Sequence, residues 1–378
     1  MKPFKYYAPT ALYFDRYCIE KNAELIKSFG VRPFIISTIF PDGIPNLALE
    51  DVKTIFSECE YQIYDGVEEN PSVESIACLA TEVRRFNPDV LIAIGGGSTL
   101  DSAKAANVLI SHSEDCDAYE VFYSGALSIN RRNAGLLPML AVPTTAGSGS
   151  EVMGYAILTR RDTDTKLRMN QVAFFDAAFL DAKYIYQSPR WLLDNAALDA
   201  LAHGIEGYLN TFSCAPERHW HDYGFRLFAR CKEQLLSGNL DFDACEKLLG
   251  AGTFQGMAVM QSGTSIPHGM GYPLSHFKHM PHGHASAITL PAYMRNFRCK
   301  KNVDHVLELC QFESIEACKE FIDTIVWRDF DCTLTMDEID KWSRDCYSLS
   351  IRLARHPEPI KLEDIKAMYV DSFAGHII

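Results

Sequence analysis

The run DVLIAIGGGSTLDSAKAANVLI (89–110) narrows the possible folds more than any other stretch. Its first part is continuously apolar, as in a strand buried on both faces. Three glycines then turn the chain, and a helical pattern follows over 99–110. The same order recurs at LPMLAVPTTAGSGSEV (137–152), where an apolar strand enters a Gly/Ser/Thr loop. PFIIS (33–37) reads as a buried strand, and YQIYDGVEENPS (61–72) as a strand running into a turn. LALEDVKTIFSE (47–58) and VESIACLATEVRRF (73–86) read as helices, as does CIEKNAELIKSFG up to Gly30. Strands alternating with helices mean βαβ units and a parallel sheet, an α/β domain. DCDAYEVF (115–122) is expected to be an exposed loop.

The pattern changes beyond about residue 185. Residues 189–257 and 285–378 read almost entirely as helices, with WLLDNAALDALAHGIEGYLN (191–210) as a long one. The expected organisation is an α/β domain over 1–185 and an all-helical domain over 186–378. A formal charge of −13, from 36 basic and 49 acidic residues, argues against nucleic acid or an anionic membrane as partner. The twelve cysteines form no CxxC pair, so neither a zinc ribbon nor a redox pair is indicated. They read as reduced thiols of a cytoplasmic protein. No run reaches the ~18 apolar residues of a spanning helix. A homodimer or higher homo-oligomer is expected.

GGGS (95–98) stands at the end of a buried strand. Ser98 with Asp101 fits the S-x-x-D start of a helix. Such a helix N-terminus offers free N–H groups and a positive dipole end to a phosphate. The motif is neither GxGxxG nor a Walker loop, so a plain strand–helix turn is the alternative. In PTTAGSGSE (143–151), Thr144, Thr145, Ser148 and Ser150 supply hydroxyls, while Gly147 and Gly149 expose backbone N–H. Two such loops at strand ends can line one crevice; a polar turn is again the alternative.

HGMGYPLSHFKHMPHGH (268–284) holds five of the twelve histidines. Gly269, Gly271, Pro273, Pro281 and Gly283 are expected to break it into a turn or broken helix. Asp199 and His203, in ALDALAH, share a helix face four residues apart. A local Asp–His hydrogen bond is the plainer reading of that pair alone. With His268 and His282 they make a candidate Asp–His₃ set, suited to Zn or Fe with a position left for substrate oxygen. His276, His279 and His284 are left to surface or supporting roles. His219 and His221, two apart on a helix, face different ways and are set aside.

The blocks YDGVEENPS, IAIGGGSTLDSAKA, PTTAGSGSEV, ALDALAHGIEGY and HGMGYPL…PHG, in that order, resemble the iron-containing (group III) alcohol dehydrogenase family over nearly the whole chain. The resemblance implies a dehydroquinate synthase-like fold made of a Rossmann-like dinucleotide-binding domain and an all-helical domain, with a cleft between them. It also implies an Fe(II) or Zn(II) ion on Asp199, His203, His268 and His282. For NAD(P)(H) it implies Asn70, Gly96, Gly97, Ser98, Asp101, Thr144, Thr145 and Ser148, with Lys166 at the nicotinamide ribose. The implied reaction is hydride transfer between a small primary alcohol or diol and its aldehyde. Phe254 and Met257 are candidates to line the alcohol pocket.

Two positions depart from the family pattern. Where a second histidine commonly follows the third ligand by four residues, this chain has Tyr272. With a pKa near ~10, tyrosine is a poorer proton relay, and Tyr272 is expected to shape the pocket. Where NAD-using members often carry an aspartate after the first strand stands Thr38, which leans the cofactor toward NADP(H). Rival readings within the fold are a dehydroquinate synthase-like cyclase, a glycerol dehydrogenase-like enzyme and a hydroxyacid–oxoacid transhydrogenase. A metal-binding scaffold is the non-enzyme reading.

Overall fold

The computed structural model describes residues 3–38, 45–124, 128–129 and 135–378. The chain divides into two compact units. One comprises Ala8–Thr145 and Ser150–Gln187, and the other Met1–Tyr7, Ala146–Gly149 and Ser188–Ile378.

In the first unit the elements run β1 (Ala11–Phe14), α1 (Cys18–Lys21), α2 (Ala23–Phe29), β2 (Pro33–Ser37), α3 (Leu47–Ile55), β3 (Gln62–Tyr64), α4 (Val73–Phe86) and β4 (Val90–Gly95). They continue with α5 (Gly97–Ile110), α6 (Ala118–Tyr123), β5 (Ser128–Ile129), β6 (Met139–Pro143), β7 (Ile157–Arg160), β8 (Thr165–Arg168), β9 (Gln171–Val172), β10 (Ala177–Leu180) and α7 (Lys183–Tyr186). Six strands form one parallel sheet in the order β1-β10-β6-β4-β2-β3. Every residue of β2, β4, β6 and β10 is buried, as continuous apolar strands covered on both faces should be. The flanking β1 and β3 are partly exposed. A core of Ile19, Ile26, Val52 and Phe56 lies against Ile35, Ile92, Ile94, Val142 and Phe179 of the strands.

The strand order fixes where a ligand can sit. From β2 the chain goes out to β3, then returns to β4 on the other side of β2. Such a switch point opens a crevice at the carboxyl ends of the two strands. Thr38 follows the last residue of β2 there and Gly95 ends β4. The Thr38 N–H donates to Ile94 O (3.2 Å), and its hydroxyl pairs with Thr99. A Cβ on Gly95 would lie 2.3 Å from Thr99 Oγ1 and 2.6 Å from Thr38 Oγ1, so this turn tolerates only glycine.

Three local readings are corrected, and one strand is added. The helix ahead of Gly30 is two short helices, parted at Asn22. The added strand is β1, Ala11–Phe14, at one edge of the sheet. Residues 118–123 are helix α6 and not a loop. Asp117 caps it by accepting from Tyr119 N (2.8 Å) and Glu120 N (3.2 Å), and Val121 and Phe122 are buried. Helix α5 begins at Gly97 with Gly96 at its cap, so Ser98 lies inside the first turn and is not the capping residue.

The second unit is helical: α8 (Arg190–Tyr208), α9 (Ala215–Ala229), α10 (Lys232–Ser237), α11 (Phe242–Ser262), α12 (Ile266–Phe277), α13 (His282–Ala287) and α14 (Leu290–Asn296), then α15 (Lys301–Leu309), α16 (Ile315–Asp329), α17 (Met336–Ser348), α18 (Ser350–Leu353) and α19 (Leu362–Ser372). Every residue of α8 from Ala196 to Tyr208 is buried. A helix apolar on all sides belongs at the centre of a bundle. The histidine-rich stretch is broken, but not at its first glycines. Helix α12 runs through Gly269, Gly271 and Pro273, and the break falls at 278–281, with His279 in the left-handed region (φ 57°). Gly269 and Gly271 are buried packing residues of α12, which is why they do not end it. Among the described residues, no helix is long and apolar enough to cross a membrane.

Candidate active site

Asp199 and His203 stand one turn apart on α8, and both are buried. His268 projects from α12 and His282 opens α13. Gly283 lets α13 lie directly on α8: a Cβ there would fall 1.9 Å from Asn195 O. The Gly283 N–H donates to Asn195 Oδ1 (2.7 Å), which fixes His282 one residue away. Asp199 Oδ1 is 3.7 Å from His268 Nε2, 3.7 Å from His282 Nε2 and 3.8 Å from His203 Nε2. Donor atoms of Asp199, His268 and His282 all lie within 4.8 Å of one another, and His203 falls outside that mutual set. Its ring stacks on His268 instead, with centroids 4.8 Å apart. Donors about 2.1 Å from one tetrahedral ion stand roughly 3.4 Å from each other, so these spacings are of the right size to hold a cation.

Two of the atoms are anomalous without one. Asp199 Oδ1 and His268 Nε2 are buried and have no hydrogen-bond partner. Leaving such groups unpaired costs roughly 1–3 kcal/mol each. Burial would raise the Asp199 pKa, but His203, His282 and His268 hold the carboxyl well below its usual range. Burial also works against charge on His268; the Glu206 and Asp199 carboxylates outweigh it and push its pKa up to about 9. His203 goes the other way, since burial lowers it more than Asp199 raises it.

The rings are held by their other nitrogens. His268 Nδ1 donates to Glu206 Oε1, and Glu206 is fully buried. His203 Nδ1 donates to the Gly147 carbonyl (3.3 Å), which can only accept. With Nδ1 so engaged, Nε2 of each ring faces Asp199, and in the neutral ring it is Nε2 that carries the lone pair. Glu206 is not among the sequence candidates, and Gly147 is singled out there for its N–H rather than its carbonyl. Glu206 lies three residues after His203, yet its partner is 62 residues away, which no local spacing reveals. Gly147 acts through its backbone.

In the α/β unit the sequence candidates form a second cluster. The Asn70 N–H donates to Ser98 Oγ (3.2 Å), Asn70 O accepts from Thr159 Oγ1 (2.9 Å), and Asn70 Oδ1 accepts from Lys166 Nζ (2.9 Å). Thr159 and Lys166 face each other across the antiparallel β7–β8 hairpin. Burial lowers the Lys166 pKa. Gly96 and Gly97 begin α5, and the side chain of Thr145 lies against Gly96. The Thr144 N–H donates to Gly95 O (3.0 Å), while its hydroxyl is buried without a partner. Asp101 turns inward, accepting from Ser150 Oγ (2.6 Å) and Ile157 N (2.9 Å) and pairing with buried Lys104 (2.9 Å). Ser148 belongs with the helical unit, in the segment Ala146–Gly149.

Tyr272 is partly buried on α12, and its hydroxyl accepts from Arg352 Nη2. Phe254 stacks on Trp220, with centroids 5.5 Å apart, and Met257 is half-buried one turn later. His276 and His279 are exposed. His284 is buried beside Asn195 (3.4 Å), and burial pushes its pKa down to about 4. His219 is exposed while His221 is buried against Gln255, on different sides of α9.

Residues 9–182 match the family model described as iron-containing alcohol dehydrogenase, and residues 195–371 match that of the Fe-containing alcohol dehydrogenase family, C-terminal. The NADPH-dependent butanol dehydrogenase of Clostridium saccharobutylicum is 30% identical over 71% of this chain and 68% of its own length. Long-chain-alcohol dehydrogenase 1 of Geobacillus thermodenitrificans is 26% identical over 84% of this chain and 83% of its length. A crystal structure of an iron-containing alcohol dehydrogenase from Thermotoga maritima superposes with a TM-score of 0.85, at 28% identity, covering 98% of this chain and 99% of that one. The chain belongs to the iron-containing alcohol dehydrogenase family, with its dehydroquinate synthase-like fold. It is an oxidoreductase of the alcohol dehydrogenase class.

Proposed function

We propose that this enzyme interconverts a small primary alcohol or diol and its aldehyde, uses NADP(H) in preference to NAD(H), and holds an Fe(II) or Zn(II) ion on Asp199, His203, His268 and His282. The observation that carries the metal reading is the buried, unpartnered pair of Asp199 Oδ1 and His268 Nε2, 3.7 Å apart. A divalent ion supplies Lewis-acid polarisation of a carbonyl oxygen, and a reduced nicotinamide supplies the hydride. Asp199 contributes the one negative charge of the set. Glu206 and the Gly147 carbonyl keep the imidazoles in the tautomer that ligation needs, a role that outer partners of metal-bound histidines commonly fill.

For the nucleotide, Gly96, Gly97 and Ser98 at the start of α5 offer N–H groups to a pyrophosphate. Thr144, Thr145, Ser148, Asp101 and Asn70 complete the assigned set. Lys166, already held by Asn70, would serve the nicotinamide ribose. Thr38 leaves no carboxylate to repel a 2′-phosphate, and the NADPH-dependent butanol dehydrogenase supports that preference. Tyr272, tied to Arg352 by its hydroxyl, would wall the pocket rather than relay the proton of the product oxygen. The test is anaerobic purification with metal analysis, then an aldehyde panel assayed with NADH and NADPH. About one ion per chain and aldehyde-proportional oxidation of NADPH are expected. Metal-replete protein that oxidises neither nucleotide with any aldehyde overturns the reading.

A further inference from the structure

The turn leading from α11 into α12 is gripped from two sides. Asn210 Nδ2 donates to the carbonyls of Ser262 (3.1 Å) and Gly263 (2.8 Å). Arg355 Nη1 donates to Thr264 O (2.6 Å). Arg352, on α18, reaches further. Its Nη1 donates to Thr264 Oγ1 (2.8 Å) and Ser265 O (3.1 Å), and its Nη2 donates to the Tyr272 hydroxyl. The guanidinium also lies over the Tyr272 ring, 4.8 Å from its centroid. One side chain therefore ties the residue before α12 to a position almost two turns along it. His268 stands between those anchors.

The same turn presents N–H groups to the carboxylate that orients His268. Ser265 N (2.6 Å) and His268 N (3.3 Å) both donate to Glu206 Oε2, while His268 Nδ1 donates to Oε1. Glu206 is fully buried, so its carboxylate depends on these donors. A fully buried carboxylate is tolerable only with partners of this kind.

We propose that Arg352 is a positioning residue of the metal centre: by pinning Thr264, Ser265 and Tyr272 it seats Glu206 against His268 and so sets where His268 Nε2 points. The inference rests on the metal reading above. It depends on the planar fork of arginine, which bonds several partners at fixed angles; a lysine keeps the charge and loses the fork.

The test uses full-length protein stripped of metal, with Zn(II) titrated in competition with a chromophoric chelator. Arg352→Met is expected to weaken Zn(II) binding about tenfold or more, the range seen for outer partners of metal ligands. Arg352→Lys is expected to recover only part of that. Co(II)-loaded Arg352→Lys should show a shifted visible absorption band, a change in ligand geometry that loss of stability alone does not produce. If Arg352→Met does not fold, Arg352→Lys carries the test through both readouts. Wild-type Zn(II) affinity and an unshifted Co(II) band in the arginine variants, alongside lost binding in His268→Ala, overturn this inference and leave the metal reading standing. Failure of the wild type itself to take up Zn(II) or Co(II) overturns both.

Discussion

Asp199 and Asn70 show how differently the two units hold reactive groups. Asp199 sits within a long buried helix, 6% exposed, and its Oδ1 bonds to nothing. Asn70 is exposed, in a turn at φ 56°, with its N–H, its carbonyl and its side-chain oxygen all engaged by Ser98, Thr159 and Lys166. An ion brings no hydrogen-bonding groups of its own. Its site must keep lone pairs bare and converging, and rigid helices are needed to hold bare groups together. A nucleotide is large and brings many acceptors. Loops whose groups are already bonded to one another can receive it with small adjustments.

The most severe way to test that contrast is to remove a bare donor. His268→Ala or Asp199→Ala, or chelation of the wild type, is expected to abolish stoichiometric metal and lower kcat/KM by about a thousandfold or more, roughly 4 kcal/mol. Metal analysis beside steady-state kinetics checks it, and full metal in either variant would show the cluster to be misread.

A second test asks whether any buried, unpartnered histidine behaves as those of the cluster do. His221 Nε2 is also buried without a partner, but its Nδ1 faces Gln255 and no carboxylate pairs with it. Burial pushes its pKa down to about 4. The unfolded chain therefore takes up a proton near pH 6.5 that the folded one refuses until about pH 4. Stability contributed by neutral His221 is complete above pH 6.5 and falls as the pH drops toward 4, by on the order of 3 kcal/mol. His221→Asn in metal-stripped protein should flatten the pH dependence of the urea midpoint in that window, leaving the parts due to His203, His284 and His356, which burial also lowers. An unchanged slope would contradict it.

Smaller effects separate the clusters themselves. Glu206→Gln keeps the shape and removes the charge that fixes His268. It should weaken metal binding by about 10- to 100-fold, with the nucleotide KM unmoved. Lys166→Ala is expected to do the reverse, raising the nucleotide KM about tenfold at wild-type metal content, as loss of one charge-assisted contact does. If each variant altered both readouts, the division of labour drawn here would fail.

Much of this was legible in the sequence, and the reasons differ by element. Strands β2, β4 and β6 announced themselves as apolar runs, and α4 as an amphipathic repeat from Val73 to Phe86. Strand β1 did not, because an edge strand with exposed ends shows neither alternation nor a continuous run. Helix α6 is six residues long, too short for a period to show. In the site, Asp199 and His203 could be paired because they share one helix. The orienting atoms could not. Glu206 meets His268 only through tertiary packing, and Arg352 reaches Tyr272 from 80 residues away.

The short strap Ala146–Gly149 has a consequence for recombination. It lies with the helices although its neighbours on both sides belong to the sheet unit. A Cβ on Gly147 would fall 2.3 Å from Ala196 O on α8, and one on Gly149 2.5 Å from the Gly256 Cα on α11. Its Gly147 carbonyl holds a histidine of the cluster. A chimera joined to a relative near residue 185 would therefore carry one parent's strap against the other parent's α8 and α11. Grafts that move the strap with residues 188–378 keep inherited partners together, and the crossover that respects the molecule is a double one.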